Sequence, residues 1–345
     1  MAEAADRDDF PRAIPKAEIH LHLEGSVDLE TLLEVRRARG EPAGPDVRNR
    51  LGGLYRHRDF LHFLRNFRSL CAEIRRPEDF AAITAALCGR LQRDGVRYAE
   101  VFCSPAVFAS AGLPGEEIMD AVSGAARERQ RSGGPRLRFL LDGVRQFGVP
   151  ALEELVRLAG ACRRYDVIGI GIGGDEKALP TAAFAGAYRE ARRLGLRTTV
   201  HAGEFDGPRS VWEAIEELEV ERVGHGVRAA EDPELMRVLA LRGVPLECCP
   251  TSNLRTGVVR SWEEHPIRAL HRAGVTVTVG SDDPALFGTS VGDEWEVLED
   301  RLGFTIPEVL EIGMATVRAT FLPAPEKEAL LSEMRSAGGR AGAAP

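Results

Sequence analysis

Short apolar and β-branched runs alternate with helix-period stretches along most of this chain. The runs are AEIHLHL (17–23), VRYAEVFCS (96–104), LRFLLDGV (137–144), VIGIGIGG (167–174), LRTTVHAGE (196–204), ERVGHGV (221–227), VPLECCP (244–250) and VTVTVGSDDP (275–284). Between them apolar residues recur at helical spacing, as in 151–163, 182–194, 210–218 and 231–241. Strands that alternate with helices pair in parallel, and eight of them close a barrel. The pattern therefore predicts an α/β fold, a TIM (β/α)8 barrel. Roughly 70 residues separate the first two runs, which predicts extra helices inserted after the first strand. An open doubly wound sheet is the alternative, but no Gly-x-Gly-x-x-Gly opens a helix after the first strand. The expected organisation is one barrel domain over 1–335 with the inserted helices at about 45–90. The small-residue tail SAGGRAGAAP, 336–345, is expected to be disordered.

Polar residues interrupt this pattern at one kind of place. Alternate residues of a strand share a face, so His20 and His22 point one way while Ile19, Leu21 and Leu23 point the other. A solvent-facing edge strand would explain that pair alone. However, other runs also end in reactive side chains: His201 and Glu204, His225, then Asp282 and Asp283. In a (β/α)8 barrel the C-terminal strand ends meet around one mouth, where sites are built. Three imidazoles (His20, His22, His201) and the Asp282 carboxylate form a donor set suited to zinc. Such an ion brings the pKa of a bound water toward ~7. Glu204 and His225 are then free for proton traffic, and Asp283 for contact with a substrate. Simpler roles exist: a strand-end histidine for His201, a helix N-terminal acid for Glu204, a turn at His225 and a capped loop at Asp282–Pro284.

Composition narrows the classes further. The 345 residues are 44% hydrophobic, enough for a large core, and carry a formal charge of −8 with no basic block, so nucleic acid is not an expected partner. No apolar run approaches the ~20 residues of a membrane span, and MAEAADRDDF lacks the apolar core of a signal peptide. The six cysteines show no Cys-x-x-Cys spacing, which fits buried thiols and a cytoplasmic location. The oligomeric state is not legible.

In order along the chain, PKAEIHLHLEG, GIGGDE (171–176), HAGE (201–204), GHG (224–226), PTSN (250–253) and SDDP (281–284) resemble the adenosine deaminase family of the metal-dependent amidohydrolase superfamily. The resemblance implies one zinc ion per subunit on His20, His22, His201 and Asp282, and hydrolytic release of ammonia from a 6-aminopurine nucleoside. It further implies that Glu204 protonates purine N1, His225 orients or deprotonates the water, Asp283 bonds N7 and the Gly174 amide bonds N3. Attack on an aromatic amidine carbon is slow unless the adjacent nitrogen gains a proton, so an acid at N1 makes chemical sense. The His-x-Glu…Pro-Cys-x-x-Cys signature of cytidine-type deaminases is absent. Binuclear relatives use a carboxylated lysine on the fourth strand; VIGIGIGG has none, which favours a single metal.

Two departures bear on substrate. Glu24 stands where typical adenosine deaminases carry the Asp that meets ribose, and Gly171 stands where they carry another Asp. Adenine deaminases and enzymes of modified nucleosides share the Glu. In LYRHRDFLHFLRNFRSL (54–70), the family's lid, Phe60, Leu64 and Phe67 are candidates to close over the ligand, with core packing as the alternative. Arg56, Arg58, Arg65 and Arg68, with Arg145 after the third strand, would suit an anionic group beyond the sugar, although a charged helix face is commonly only solvated. The expected substrates are therefore adenosine, the carboxylate-bearing aminodeoxyfutalosine of menaquinone biosynthesis and, third, adenine. A non-catalytic purine-binding barrel and an amide or ester hydrolase are the alternatives of other classes.

Overall fold

The computed structural model describes residues 10–341; Met1–Asp9 of the acidic N-terminal stretch and residues 342–345 lie outside the described part. Eight strands form one sheet in the order β1 to β8, and every neighbouring pair is parallel. They are β1 Lys16–Glu18, β2 Val96–Cys103, β3 Arg136–Val144, β4 Val167–Gly173, β5 Arg197–Ala202, β6 Arg222–His225, β7 Leu246–Cys248 and β8 Val277–Val279. Helices cross between them, so the expected (β/α)8 barrel is the fold observed. Val101, Phe139, Ile170, Val200, Val223, Leu246 and Val277, one from each of seven strands, are all buried.

The first strand stops at Glu18, well short of the apolar run that predicts it. Residues 19–23 instead form the seam that closes the barrel. His22 N donates to the Asp282 carbonyl at 2.8 Å, and Asp282 N donates to the His20 carbonyl at 3.0 Å. Gly280 makes this approach possible, because a Cβ there would lie 2.6 Å from the His20 carbonyl oxygen. Closing the barrel thus brings the first and last candidate ligands together.

Four helices lie between β1 and β2: Leu29–Ala38, Pro45–Gly52, Phe60–Cys71 and Pro77–Arg93. The lid helix Phe60–Cys71 starts where the Asp59 side chain accepts the His62 N–H at 2.8 Å, a cap that satisfies one orphan donor.

Helix Ala324–Ala341 corrects the expectation of disorder from Ser336: six residues of that tail, Ser336 to Ala341, are helical. Alanine is the strongest helix former, and Leu330, Leu331, Met334 and Ala337 recur at helical spacing and are buried. All six cysteines are free and buried. No helix among the described residues is long and apolar enough to cross a membrane.

Candidate active site

His20, His22, His201 and Asp282 each offer one ligand atom, and these atoms all lie within 4.8 Å of one another in the barrel mouth. Their outer hydrogen bonds decide which ring atoms face inward. His20 Nδ1 lies 2.8 Å from Glu247 Oε2 and His201 Nδ1 lies 3.1 Å from the Ile172 carbonyl. Acceptors in those places make Nδ1 the donor, which leaves the Nε2 lone pairs pointing into the cluster. His22 Nε2 and His201 Nε2 are only 3.3 Å apart, and His20 Nε2 is buried with no hydrogen-bond partner. Converging lone pairs repel, so the arrangement fits a cation between them.

The charge balance agrees. Burial alone would depress both His20 and His22, but Asp282 and neighbouring carboxylates lift His20 to about 8 and His22 to about 10. Burial and the neighbouring histidines hold His201 well below its ordinary value. The histidines hold Asp282 low against the upward push of burial. Asp282 also has φ +63°, and His225 has φ +56°. Asp and His tolerate this left-handed region better than most residues, at a cost of about 1–2 kcal/mol each. Ser252 Oγ, donating to Asp282 Oδ2 at 2.5 Å, holds the carboxylate in place.

Glu247 links the cluster to the barrel interior. Its other oxygen meets Arg222, which also pairs with Glu100 at 2.6 Å; all three are buried. Burial pushes the Glu247 carboxyl up, but Arg222 and His20 bring it below its ordinary range. An outer partner of this kind fixes ring orientation and raises ligand basicity. Glu247→Gln is therefore expected to weaken metal binding about 10–100-fold, measured by competition with a chelator.

A second relay holds His225. Ile267 N donates to His265 Nδ1 at 3.2 Å, so His265 Nε2 is the donor to Asn253 Oδ1, 3.4 Å away. The Asn253 amide then donates to His225 Nδ1 at 3.2 Å. With Nδ1 accepting, neutral His225 carries its proton on Nε2, which lies 3.6 Å from Glu204 and 4.0 Å from Asp282. Burial lowers His225 to about 3.

Above the cluster lies a cavity of about 270 Å³, lined by Glu204, Asp283 and Gly174 at the reactive end and by Phe60, Phe63, Leu64, Phe67 and Phe287 beneath the lid. Burial raises Glu204 and Asp283 well above the ordinary carboxyl range, and the Asp282 charge adds to both. Asp283 is packed so closely against Gly25 that a Cβ there would overlap its carboxylate.

Two expected substrate contacts point elsewhere. Glu24 is fully buried, accepts the Ser104 N–H at 2.9 Å and is absent from the cavity wall. Arg145 is also fully buried and off the wall; its guanidinium donates to the Leu179 and His201 carbonyls and to Thr181 Oγ1. These three acceptors, two of them in the loop after β4 and one on β5, hold the guanidinium away from the cavity. Of the four lid arginines only Arg68 lines the cavity; Arg56, Arg58 and Arg65 are exposed outside it.

Asp142, Ser104 and Gln146 line the cavity but gave no motif. Asp142 pairs in register with Gly171, and its Oδ1 lies 2.9 Å from where a Cβ at 171 would stand. A carboxylate from β3 therefore fills the space left by the missing side chain on β4.

Residues 15–337 match the family model described as Adenosine deaminase. The chain belongs to the adenosine deaminase family. It is 35% identical to the aminodeoxyfutalosine deaminase of Streptomyces avermitilis over 331 residues, covering 95% of this chain and 92% of that one. It is 34% identical to the adenine deaminase of Mesorhizobium japonicum over 322 residues, 93% of this chain and 98% of the relative. The crystal structure of an amidohydrolase from Burkholderia ambifaria with bound Zn superposes with a TM-score of 0.89 at 28% identity, covering 100% of this chain and 96% of that one. As a member of this family, the chain is an aminohydrolase of adenine-type substrates, and its His/Asp cluster is a candidate metal site.

Proposed function

We propose that this deaminase acts, with one zinc ion, on a 6-aminopurine nucleoside carrying an apolar arm and a carboxylate beyond the sugar, with aminodeoxyfutalosine the best candidate. The observation that carries this reading is the far end of the cavity. There Phe60, Phe63, Phe67 and Phe287 form an aromatic wall beside the exposed Arg68, a surface suited to an apolar arm that ends in an anion. Relatives named aminodeoxyfutalosine deaminase support it. Relatives named adenine deaminase keep the free base as the competing outcome.

His20, His22, His201 and Asp282 would hold the zinc, which supplies a water nucleophile ionised near neutral pH. The remaining groups suit a purine edge. N1, N3 and N7 are all acceptors, and the site offers a donor for each: Glu204 for N1, the Gly174 N–H for N3 and Asp283 for N7. Burial pushes both carboxyls toward the protonated form that this requires. With its proton on Nε2, His225 orients the attacking water and takes no proton from it. The oxygen of the ionised water adds at C6 while N1 receives the Glu204 proton. The C6 hydroxyl proton then passes to the amino group, the C6–N bond breaks and ammonia leaves. The proton released when the water ionised restores Glu204.

The experiment is a comparison of kcat/KM for zinc-loaded protein on aminodeoxyfutalosine, adenosine and adenine. The expected order places aminodeoxyfutalosine first. Arg68→Ala should lower its kcat/KM about fivefold, as for an exposed ion pair, while adenosine is unaffected. Turnover of adenine alone would overturn the reading.

A further inference from the structure

Glu176 is buried, 2% exposed, in the loop after β4, and it does not line the cavity. One of its oxygens, Oε2, accepts three successive backbone N–H groups: Glu204 at 3.1 Å, Phe205 at 2.6 Å and Asp206 at 2.6 Å. Successive N–H groups converging on one oxygen form a rigid nest, here with the acceptor supplied by another loop. The clamp has a second side. Arg145 ties that same β4 loop to β5, through Leu179 and Thr181 at one end and the His201 carbonyl, at 2.7 Å, at the other. The loop after β5 therefore has no independent choice of position.

Each end of this clamp carries a group with work to do. Gly174, which lines the cavity, is two residues before Glu176, at φ +92°. Gln146 Oε1 sits 2.3 Å from where a side chain at Gly174 would begin, so the backbone there is held against a neighbour. On the other side of the nest, Glu204 projects its carboxyl into the cavity, and the next residue, Phe205, packs on Phe60 of the lid with ring centroids 3.9 Å apart. A mobile β5 loop would let the Glu204 carboxyl and the Gly174 amide drift relative to one another. The two nitrogens they are to serve, N1 and N3, flank one carbon of a rigid ring.

We propose that Glu176 is a positioning residue: by gathering the N–H groups of 204–206 it fixes the Glu204 carboxyl at a set spacing from the Gly174 amide and seats Phe205 under the lid. This rests on the reading of Glu204 as the proton donor to the ring. A misplacement on the order of 1 Å can cost about 10²-fold in rate, so the clamp has a measurable consequence. Glutamine has the same shape and keeps a side-chain oxygen where Oε2 accepts these N–H groups, so it is the conservative replacement.

Three variants test this: Glu176→Ala, Glu176→Gln and Glu176→Ala combined with Glu204→Gln. Amide exchange over 203–207, by mass spectrometry, reads the clamp without needing turnover. Glu176→Ala should speed that exchange more than tenfold. It should also lower kcat about 10–100-fold with KM nearly unchanged and metal content kept. Glu176→Gln should restore most of both, since its side-chain oxygen can accept the same N–H groups. In the Glu204→Gln background Glu176→Ala should cost nothing further. Unchanged exchange in Glu176→Ala would overturn the proposal. So would losses that add in the double variant, or a loss of metal and thermal stability that Glu176→Gln fails to repair. If wild-type protein deaminates no aminopurine while Glu176→Ala still loosens 203–207, the clamp stands and the functional reading falls.

Discussion

Glu204→Gln is expected to lower kcat by about 10²–10⁴-fold, the usual contribution of a positioned general acid, while metal content stays at that of wild type. Glutamine keeps the shape of the side chain and can still donate an N–H to N1, so KM should change little. It cannot deliver a proton, and without one the ring resists addition of water at C6. The pH profile gives an independent reading. The acid must be protonated to work, and burial raises its carboxyl well above the ordinary range, toward that form. Activity of the wild type should therefore fall on the alkaline side, as Glu204 loses its proton, and that limb should be missing from the residual activity of Glu204→Gln. A variant that deaminates at the wild-type rate would remove Glu204 from the chemistry.

The second large effect is expected at the cluster. His201→Ala should reduce bound metal far below one per chain and bring ammonia release to background. His201 contributes an inward Nε2 whose orientation is fixed by the Ile172 carbonyl, and no other side chain can take its place from β5. The fold itself should survive, because β5 keeps its ladder to β6 through Thr199–Ala202. Thermal denaturation separates the two effects. Saturating zinc at about 100 times its Kd should stabilise wild type by about 2.7 kcal/mol and leave His201→Ala unmoved. Equal stabilisation of both proteins would mean that the metal binds elsewhere.

The number of strands and the grouping of the reactive residues at one mouth were legible in the sequence because both follow from local rules. Apolar runs of strand length alternate with helical periods, and the reactive residues stand where a parallel barrel leaves its mouth. The side-chain directions beyond the strand ends were not legible. β1 ends at Glu18, so alternation no longer governs His20 and His22; their placement comes from the seam with Asp282, a long-range pairing. Arg145 and Glu24 look like ligands for a substrate when only spacing is considered. In three dimensions Arg145 donates to the His201 carbonyl, Glu24 accepts the Ser104 N–H, and neither lines the cavity. Asp142 escaped notice because it compensates across two strands for the side chain that Gly171 lacks, a relation visible only in the register. His265 lies in none of the motifs, yet it is buried and holds Asn253, which holds His225. The helix through Ser336–Ala341 was hidden by its glycines, which lower local propensity while Met334 and Ala337 still find a neighbour to pack on.

The most direct test of hydrolytic deamination at this one metal site is turnover in ¹⁸O-labelled water by zinc-loaded protein, with ammonia and product measured together. The account predicts one ammonia per purine and one ¹⁸O in the 6-oxo group of the product, at a rate proportional to bound zinc up to one ion per chain. Fully zinc-loaded protein that releases no ammonia from aminodeoxyfutalosine, adenosine or adenine would contradict it.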